Sequence, residues 1–284
     1  MIVPKKVSRL LHRLSEGFHF VVERPLMTAA AVLVFVTILV VTLSLPYYLD
    51  DSRAFYGQVL AEAHGMIFDI LVIGILLYWL NDRGEVRQRI RAYQDEIDDF
   101  RQLESTEASF RTVGNIKRLN RHRVTQINLV NSCLPRTNLN YVNLKGSNMN
   151  SANLTHSTLI ESNMEGARLN QANFENSNLN QVCLRSAYAS GANFKDAFLI
   201  KAQLQNALLI KANFYNAYLM EADLRGSYLM GADFEQASLY KADLRGAKGL
   251  TAEQLMKAKT LFLAKLDDEL QQQLGHPMPA EAAA

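Results

Sequence analysis

The chain has 284 residues, a formal net charge of +2 and 49% hydrophobic residues, which suffices for one sizeable core together with membrane segments. The nearly balanced charge favours neither a nucleic-acid binder nor an acidic nucleic-acid mimic. Two cysteines give no zinc pattern or disulfide framework, and no phosphate-binding loop or nucleophile elbow occurs. We therefore predict that the protein is not an enzyme, with no catalytic, cofactor-binding or metal-binding residues.

The first 25 residues place apolar side chains at helical spacing, opposite a basic face. The basic residues are Lys5, Lys6, Arg9 and Arg13, and the apolar ones are Val7, Leu10, Leu11, Leu14, Phe18 and Val21. We predict a cytoplasmic amphipathic helix over 1–25. It either lies on an anionic lipid leaflet or packs on the rest of the protein.

Two apolar segments follow this N-terminal region. Residues 26–45 contain no charge and, as a helix rising about 1.5 Å per residue, would cross a hydrocarbon core of about 30 Å. Residues 66–80 are shorter, carry Asp69 near one end, and finish in Tyr78 and Trp79, which suit a membrane interface. We predict transmembrane helices over 26–45 and 66–80.

The distribution of basic residues predicts the orientation of these segments. Five basic residues precede the first segment and four arginines follow the second, whereas the loop over 46–65 carries one arginine against three acids. The positive-inside rule then predicts an external loop at 46–65 and a multi-pass protein of a bacterial inner membrane, with both termini in the cytoplasm. Asp69 is either an interfacial carboxylate or part of an ion pathway.

Residues 81–118 are predicted to form a helical connector. Apolar residues recur in it at alternating spacings of four and three, which predicts an amphipathic helix able to pair with a second copy. These residues are Val86, Ile90, Tyr93, Ile97 and Phe100. A shorter helix is expected to begin near Ser105 or Thr106 and to run toward Gly114.

A period of five residues dominates the rest of the chain. From Leu129 to Leu244, twenty-four consecutive fifth positions hold seventeen Leu, four Phe, two Met and one Ala, and twenty of the residues two places before them are Ala or Ser. Neither a helix nor a flat strand places such residues on one face. The pattern therefore predicts a solenoid built from short repeats.

The phenylalanines indicate how many repeats form one coil. Phe174, Phe194, Phe214 and Phe234 are each twenty residues apart, and identical aromatic rings gain most when they stack. Four five-residue sides then form a square coil, in which each side points one large residue inward and the small residue fits the corner. Ala189 breaks the pattern and predicts a hollow that Tyr188 fills.

Tandems such as ADLRG at 222–226 and 242–246 and ANLTH at 152–156 closely resemble the pentapeptide repeat family over residues 119–248. The resemblance implies a right-handed quadrilateral β-helix with narrow parallel ladders on its faces. The predicted fold class is an all-β solenoid, preceded by an α-helical transmembrane hairpin and capped by a C-terminal helix. Six coils at a spacing of about 4.8 Å would make a rod about 29 Å long.

The C-terminal residues are expected to close the open end of the rod. Thr251 and Gln254 have capping-box spacing, so we predict a helical cap over 249–274 whose leucines 255, 261, 263 and 266 cover the last coil. The tail over 275–284 is predicted to be disordered. Cys133 and Cys183 are two and a half coils apart, so they should face opposite sides and remain unbonded.

Residues that are twenty apart share a side of the coil, and this predicts two apolar walls. The outward residues of the Tyr218 wall are Phe198, Ile200, Tyr218, Met220 and Tyr240, together with Ile160. Those of the opposite Tyr228 wall are Tyr188, Leu208, Ile210, Tyr228 and Met230. Charges gather on the other two sides, the Arg225 wall (Arg185, Arg225, Arg245) and the Lys195 wall (Glu175, Lys195, Glu235). Large exposed apolar patches mark contact sites, although outward ladder positions favour such residues in any case.

These features predict a non-catalytic, membrane-anchored pentapeptide-repeat scaffold for protein–protein interaction or self-association. Its expected partners are membrane lipid and either an unknown protein or a second copy. Nucleic-acid binding and nucleic-acid mimicry are not expected, because residues 127–247 carry nine acids and ten bases. The alternative is a subunit of a small membrane channel or transport assembly that the β-helix regulates, with Asp69 as its functional membrane residue.

Overall fold

The computed structural model describes residues 25–50 and 52–275. The predicted amphipathic helix over 1–25 lies outside these residues except for Pro25, and the predicted tail over 275–284 lies outside them except for Gly275. The chain divides into two compact units, one up to Gln88 and the other from Arg89 onward. The helices are α1 (Pro25–Asp50), α2 (Ser52–Phe100), α3 (Thr106–Arg121), α4 (Ala252–Met256) and α5 (Asp268–Leu274).

The first two helices are longer than the sequence pattern predicts. The expected loop over 46–65 is helical from 46 to 50 and from 52 onward. Gly57 lies within α2, because a single glycine costs a long helix only about 1 kcal/mol. Within the described residues, one stretch, Glu62–Phe100, is long and apolar enough to cross a membrane, and Ala30–Thr42 is a shorter apolar helix. The predicted pair of transmembrane helices is therefore not established by these elements.

The predicted helical connector is two helices that pack on the repeat region. Ile97 of α2 is fully buried in the same apolar core as the repeats, and Ile90 and Tyr93 pack against that core. The apolar stripe that was expected to serve a second copy is thus used within the chain. Helix α3 begins near Ser105, as predicted, and Ser105 caps it by accepting from the Ala108 amide at 3.1 Å. The helix continues beyond Gly114 to Arg121.

The repeat region winds into coils of twenty residues. Parallel bridges join residues exactly one coil apart without interruption, from Asn128 with Asn148 to Tyr228 with Lys248. Each bridge involves a single residue on each side, so no extended strand forms within the described residues. The four-sided coil is confirmed, whereas the predicted ladders are rows of isolated bridges.

The corners of the coil explain why the bridges stay short. The second residue after each inward one adopts a left-handed conformation, with φ of 55° at Lys211 and 69° at Gly231, so the chain turns after every five residues. Where an Asn or Asp precedes the inward residue, its side chain can stabilise the same turn. Asn213, for example, accepts from the Tyr215 amide at 2.9 Å, in the manner of an Asx turn.

The core consists of the inward residues that the five-residue period predicts, and all of these from Leu129 to Leu244 are buried. The four phenylalanine rings stack with centroids 5.1, 5.1 and 5.2 Å apart and interplanar angles of at most 6°. Ala189 is buried as well, but Tyr188 is 47% exposed and does not fill the space beside it. The tyrosine precedes the inward position, so its side chain points out of the coil.

The C-terminal cap differs from the predicted helix. After α4 the chain resumes the coil, with Thr260 bridged to Ser238 and Lys265 bridged to Asp243, and only then forms α5. These two bridges span twenty-two residues, because α4 occupies one side of the coil. The spacing of Leu261 and Leu266, five residues apart, is the sequence signal of this extra half-coil.

Polar side chains satisfy the backbone where the regular coil ends. The predicted capping box of Thr251 and Gln254 is confirmed, and the Gln254 amide also donates to the carbonyls of Leu229 and Ala232, at 3.0 and 2.7 Å. At the other end, Asn120 accepts from the Asn143 amide at 2.7 Å. Leu255 and Leu266 are buried beneath the cap, whereas Leu261 and Leu263 are only partly buried.

We expect Gly249→Ala to destabilise the protein more than Gly166→Ala. Both glycines have a left-handed φ, 71° and 64°, which costs an alanine about 1–2 kcal/mol. A methyl group at Gly249 would in addition lie 2.8 Å from Cβ and 3.1 Å from Cα of Met230, whereas nothing lies within 4 Å at Gly166. Urea unfolding of the two variants measures the difference, and equal losses of stability would contradict the close packing of Gly249 against Met230.

Candidate interaction surface

The structure brings the residues of the Tyr218 wall together as the twenty-residue coil predicts. Phe198 is bridged to Tyr218, and their rings stack with centroids 4.7 Å apart and an interplanar angle of 7°. Phe198 is 40% exposed, and Ile160, Ile200, Tyr218, Met220 and Tyr240 are half-buried. The stack is fixed by the coil register, so the wall presents a rigid apolar surface.

Charged residues border this apolar surface with alternating sign. Lys201, Glu221 and Lys241 occupy the same corner position in successive coils, and Lys201 Nζ lies 3.7 Å from a Glu221 carboxylate oxygen. Lys241 lies over the Tyr240 ring, with Nζ 5.1 Å from its centroid. The Tyr218 wall therefore combines an apolar centre with a rim of both charges, an arrangement found in protein–protein contacts.

The Tyr228 wall is also assembled as predicted. Successive bridges join Tyr188 to Leu208 and Leu208 to Tyr228. Tyr188, Tyr228 and Met230 are 47%, 37% and 59% exposed, respectively, and Leu208 and Ile210 are half-buried. Lys248 closes this row, since its Nζ donates to the Tyr228 hydroxyl at 3.0 Å and lies 4.5 Å from the ring centroid.

The other two sides carry the charged residues. On the Lys195 wall, Lys195 Nζ lies 3.6 Å from Glu175. On the Arg225 wall, Arg225 and Arg245 pair with Asp223 and Asp243 at 2.6 and 2.7 Å. Such exposed pairs contribute about 0–1 kcal/mol each, so the ion pairs of these walls add only modestly to stability.

The carboxylates of the Arg225 wall have shifted pKa values. Partial burial acts to raise the pKa of Asp223, but hydrogen bonds from the Arg225 side chain and amide and from Gln205 outweigh it and hold the pKa below its usual value. The same balance, with Arg245 as donor, lowers the pKa of Asp243. Both groups therefore favour the folded state in their ionised form.

One feature that the sequence analysis missed is a groove of about 650 Å³ between the start of α3 and the first coils. It is lined by residues that include Glu104, Ser105, Cys133, Arg136 and His156. Burial, followed by the nearby Glu104 carboxylate, raises the pKa of the Cys133 thiol, which keeps it protonated and unreactive. No sequence signal marks this groove, because its two sides are distant in the chain.

The remaining predicted residues are Asp69 and the two cysteines. Asp69 is an exposed residue of α2. Cys133 and Cys183 are both free, in agreement with the predicted absence of a bond between them. In the described part of the chain, no group of three or more His, Cys, Asp or Glu side chains could hold a metal ion.

A four-sided coil with one inward residue per side defines a solenoid of the pentapeptide type, and comparison of the sequence with protein families agrees. The family model described as pentapeptide repeats matches eight copies, over residues 124–155, 147–185, 190–226 and 217–248. Residues 124–248 therefore form a pentapeptide-repeat domain. A comparison with curated proteins gives no significant match.

Several solved structures are similar to the chain. A pentapeptide repeat protein from the Arabidopsis thaliana thylakoid lumen is 31% identical, over 30% of this chain and 59% of its own, with a TM-score of 0.30. Rfr23 from the cyanobacterium Cyanothece 51142 is 24% identical, over 54% and 98%, with a TM-score of 0.27. HetL from Nostoc sp. strain PCC 7120, a protein involved in heterocyst differentiation regulation, is 28% identical, over 49% and 74%, with a TM-score of 0.17.

We expect the double substitution Asp223→Asn and Asp243→Asn to reduce the loss of stability in acid. Because the folded-state pKa values are lowered, both carboxylates stabilise the fold above the unfolded pKa of about 4, and this contribution disappears as the pH falls through the folded pKa values. Urea unfolding from pH 7 down to pH 3 measures this contribution to the free energy of unfolding. The variant should be less stable at pH 7 and show a shallower decline, with an unchanged m-value; parallel curves would contradict the assignment.

Proposed function

We propose that the protein is a non-catalytic pentapeptide-repeat scaffold, held at a membrane by its N-terminal helices, that binds another polypeptide through the Tyr218 wall. The observation that carries the proposal is the rigid stack of Phe198 and Tyr218 at positions where other coils place polar residues. This stack lies beside the half-buried Ile200 and Met220. Aromatic residues and methionine are enriched in protein interfaces.

The local hydrogen bonding of the coil favours a functional reason for these aromatics. In the same wall, Asn178 accepts from the Asn180 amide at 3.1 Å, and Asn at this position suits both the turn and the solvent. Neither ring can accept such a bond, which is worth about 0.5–1.5 kcal/mol. The Ile200 amide after Phe198 donates to Asn180 Oδ1 at 3.0 Å instead, so Tyr218 is the residue that gives up the bond for ring stacking worth about 0.5–1.5 kcal/mol. Because the free energies of the hydrogen bond and of ring stacking are similar in size, an exposed aromatic column does not make the coil more stable. Contact with a bound partner would give these aromatic residues an advantage.

Membrane anchoring is supported by the apolar residues of the first unit. The apolar window within Glu62–Phe100 has none of its residues buried in the protein, and side chains such as Phe68 and Leu77 are 68% and 60% exposed. Exposed apolar surface of this extent is stable in hydrocarbon and costly in water. Basic residues on both flanks support an orientation with both termini and the repeats in the cytoplasm.

Photo-crosslinking in native membranes tests the proposed binding wall. A photoreactive residue at Tyr218 should capture a polypeptide, and the same probe at Lys195, on a charged wall, should not. Mass spectrometry then tells a different protein, which makes the chain an adaptor, from a second copy, which makes it a self-assembling scaffold. If Tyr218 captures no polypeptide beyond the level at Lys195, the proposal fails.

Charge substitutions separate the scaffold from the channel alternative. Ile200→Glu or Tyr218→Glu should weaken association by at least about tenfold, the effect of removing a central interface residue. Asp69→Asn should leave association and membrane conductance unchanged. A changed conductance with unchanged association would favour the channel subunit instead, and the content of folded protein, checked by circular dichroism, controls for unfolding.

A further inference from the structure

The two apolar walls differ in the charges that accompany them. At its outward positions the Tyr228 wall carries Arg168, Lys211 and Lys248 and no acidic residue, whereas the Tyr218 wall carries Glu161 and Glu221 beside its two lysines. One wall is thus apolar and basic, and the other is apolar with both charges. This difference indicates that the two walls contact different surroundings.

Two basic residues of the Tyr228 wall flank the apolar part of one straight row. Consecutive bridges place Arg168, Tyr188, Leu208, Tyr228 and Lys248 one above another, over about 19 Å at a spacing of about 4.8 Å per coil. Cations at both ends of an aromatic and aliphatic row form the composition that proteins present to the headgroup region of a bilayer.

Side-chain exposure agrees with this composition. Tyr188 and Met230 are 47% and 59% exposed, so they can enter the interfacial layer without rearrangement of the coil. Lys248 is held against Tyr228 by both a hydrogen bond and a cation–π contact, which places a cation beside an interfacial tyrosine.

Acidic residues occur on both walls that adjoin the Tyr228 wall. The carboxylates of Asp223 and Asp243, on the neighbouring Arg225 wall, are paired with Arg225 and Arg245. On the other side, Asp233 and Glu235 belong to the neighbouring Lys195 wall. All charged residues at the outward positions of the Tyr228 wall itself are therefore basic.

We propose that the Tyr228 wall docks onto an anionic lipid surface, so that the repeat domain lies along the membrane with the Tyr218 wall turned away from the bilayer. The proposal deepens the proposed function and rests on its membrane location. Three cations and an exposed apolar row match the combination of anionic headgroups and apolar interface that a bilayer offers. A protein partner at this wall would be a different proposal, and the experiment below detects it.

The test uses the full-length chain in nanodiscs, with a photoreactive residue at Tyr228 or, for comparison, at Tyr218. Lipid adducts, measured by mass spectrometry, should form at Tyr228 when the nanodisc contains phosphatidylglycerol. They should fall by at least about fivefold in phosphatidylcholine alone, since each cation near an anionic surface contributes roughly that factor, and in high salt. Adducts at Tyr218 should be rare in every lipid.

Lys211→Glu and Lys241→Glu form a matched pair of charge variants. Both lysines occupy the same left-handed corner position, with φ of 55°, but Lys211 borders the Tyr228 wall and Lys241 the Tyr218 wall. Lys211→Glu should reduce the lipid adducts at Tyr228 by at least about fivefold, and Lys241→Glu should not. The proposal would be overturned if the two substitutions had equal effects, or if the yield of lipid adducts at Tyr228 did not depend on the charge of the lipid.

Membrane extraction with alkaline carbonate keeps this proposal distinct from the proposed anchoring. A chain that resists extraction but forms no lipid adduct at Tyr228 is anchored and lacks the docking wall. A chain that is extracted but still forms adducts at Tyr228 in phosphatidylglycerol has the docking wall without the anchor. Capture of a polypeptide instead of lipid at Tyr228 in native membranes would assign this wall to a protein and overturn the lipid proposal.

Discussion

Backbone hydrogen bonds between successive coils are the constraint on which the rest of this domain depends. From Leu129 to Leu229, the amide of each inward residue donates to a carbonyl nineteen residues later, as Leu199 does to Tyr218 at 2.8 Å. Because this spacing repeats, every inward residue lies above another and every outward residue joins a row. The phenylalanine stack, the buried small corner residues and the outward rows all follow from one register.

The same constraint determines how the coils must end. A regular coil leaves amides and carbonyls without a following coil, and the buried ones need other partners. Side chains of Asn120, Gln254 and Asp267 occupy these places, the last by accepting from the Gly246 amide at 3.0 Å. Helices α3 and α4 thus close the solenoid by supplying hydrogen bonds as well as apolar cover, which protects it from end-to-end association.

A rigid register also turns the outer surface into four separate faces. The outward side chains of one face are fixed relative to one another. Because residues twenty apart share a face, the residue types at these intervals determine the chemistry of each face separately. Two faces are charged and solvated, one combines aromatic residues with both charges, and one combines aromatic residues with cations alone. The proposed polypeptide contact and the proposed lipid contact use the last two of these faces.

The sequence alone was sufficient to predict the coil and the composition of its faces. A five-residue period with inward Leu or Phe fits no helix or flat strand, and the twenty-residue spacing of the phenylalanines specifies four sides. It also predicted the start of α3 near Ser105 or Thr106 and the capping box of Thr251 and Gln254. The direction of Tyr188, the half-coil after α4 and the packing of Ile97 were decided only in the tertiary structure. Each of these depends on contacts between residues far apart in the chain, such as Gln254 with Ala232 and Ile97 with the repeat core, and a local pattern carries no information on which distant backbone groups will need a partner.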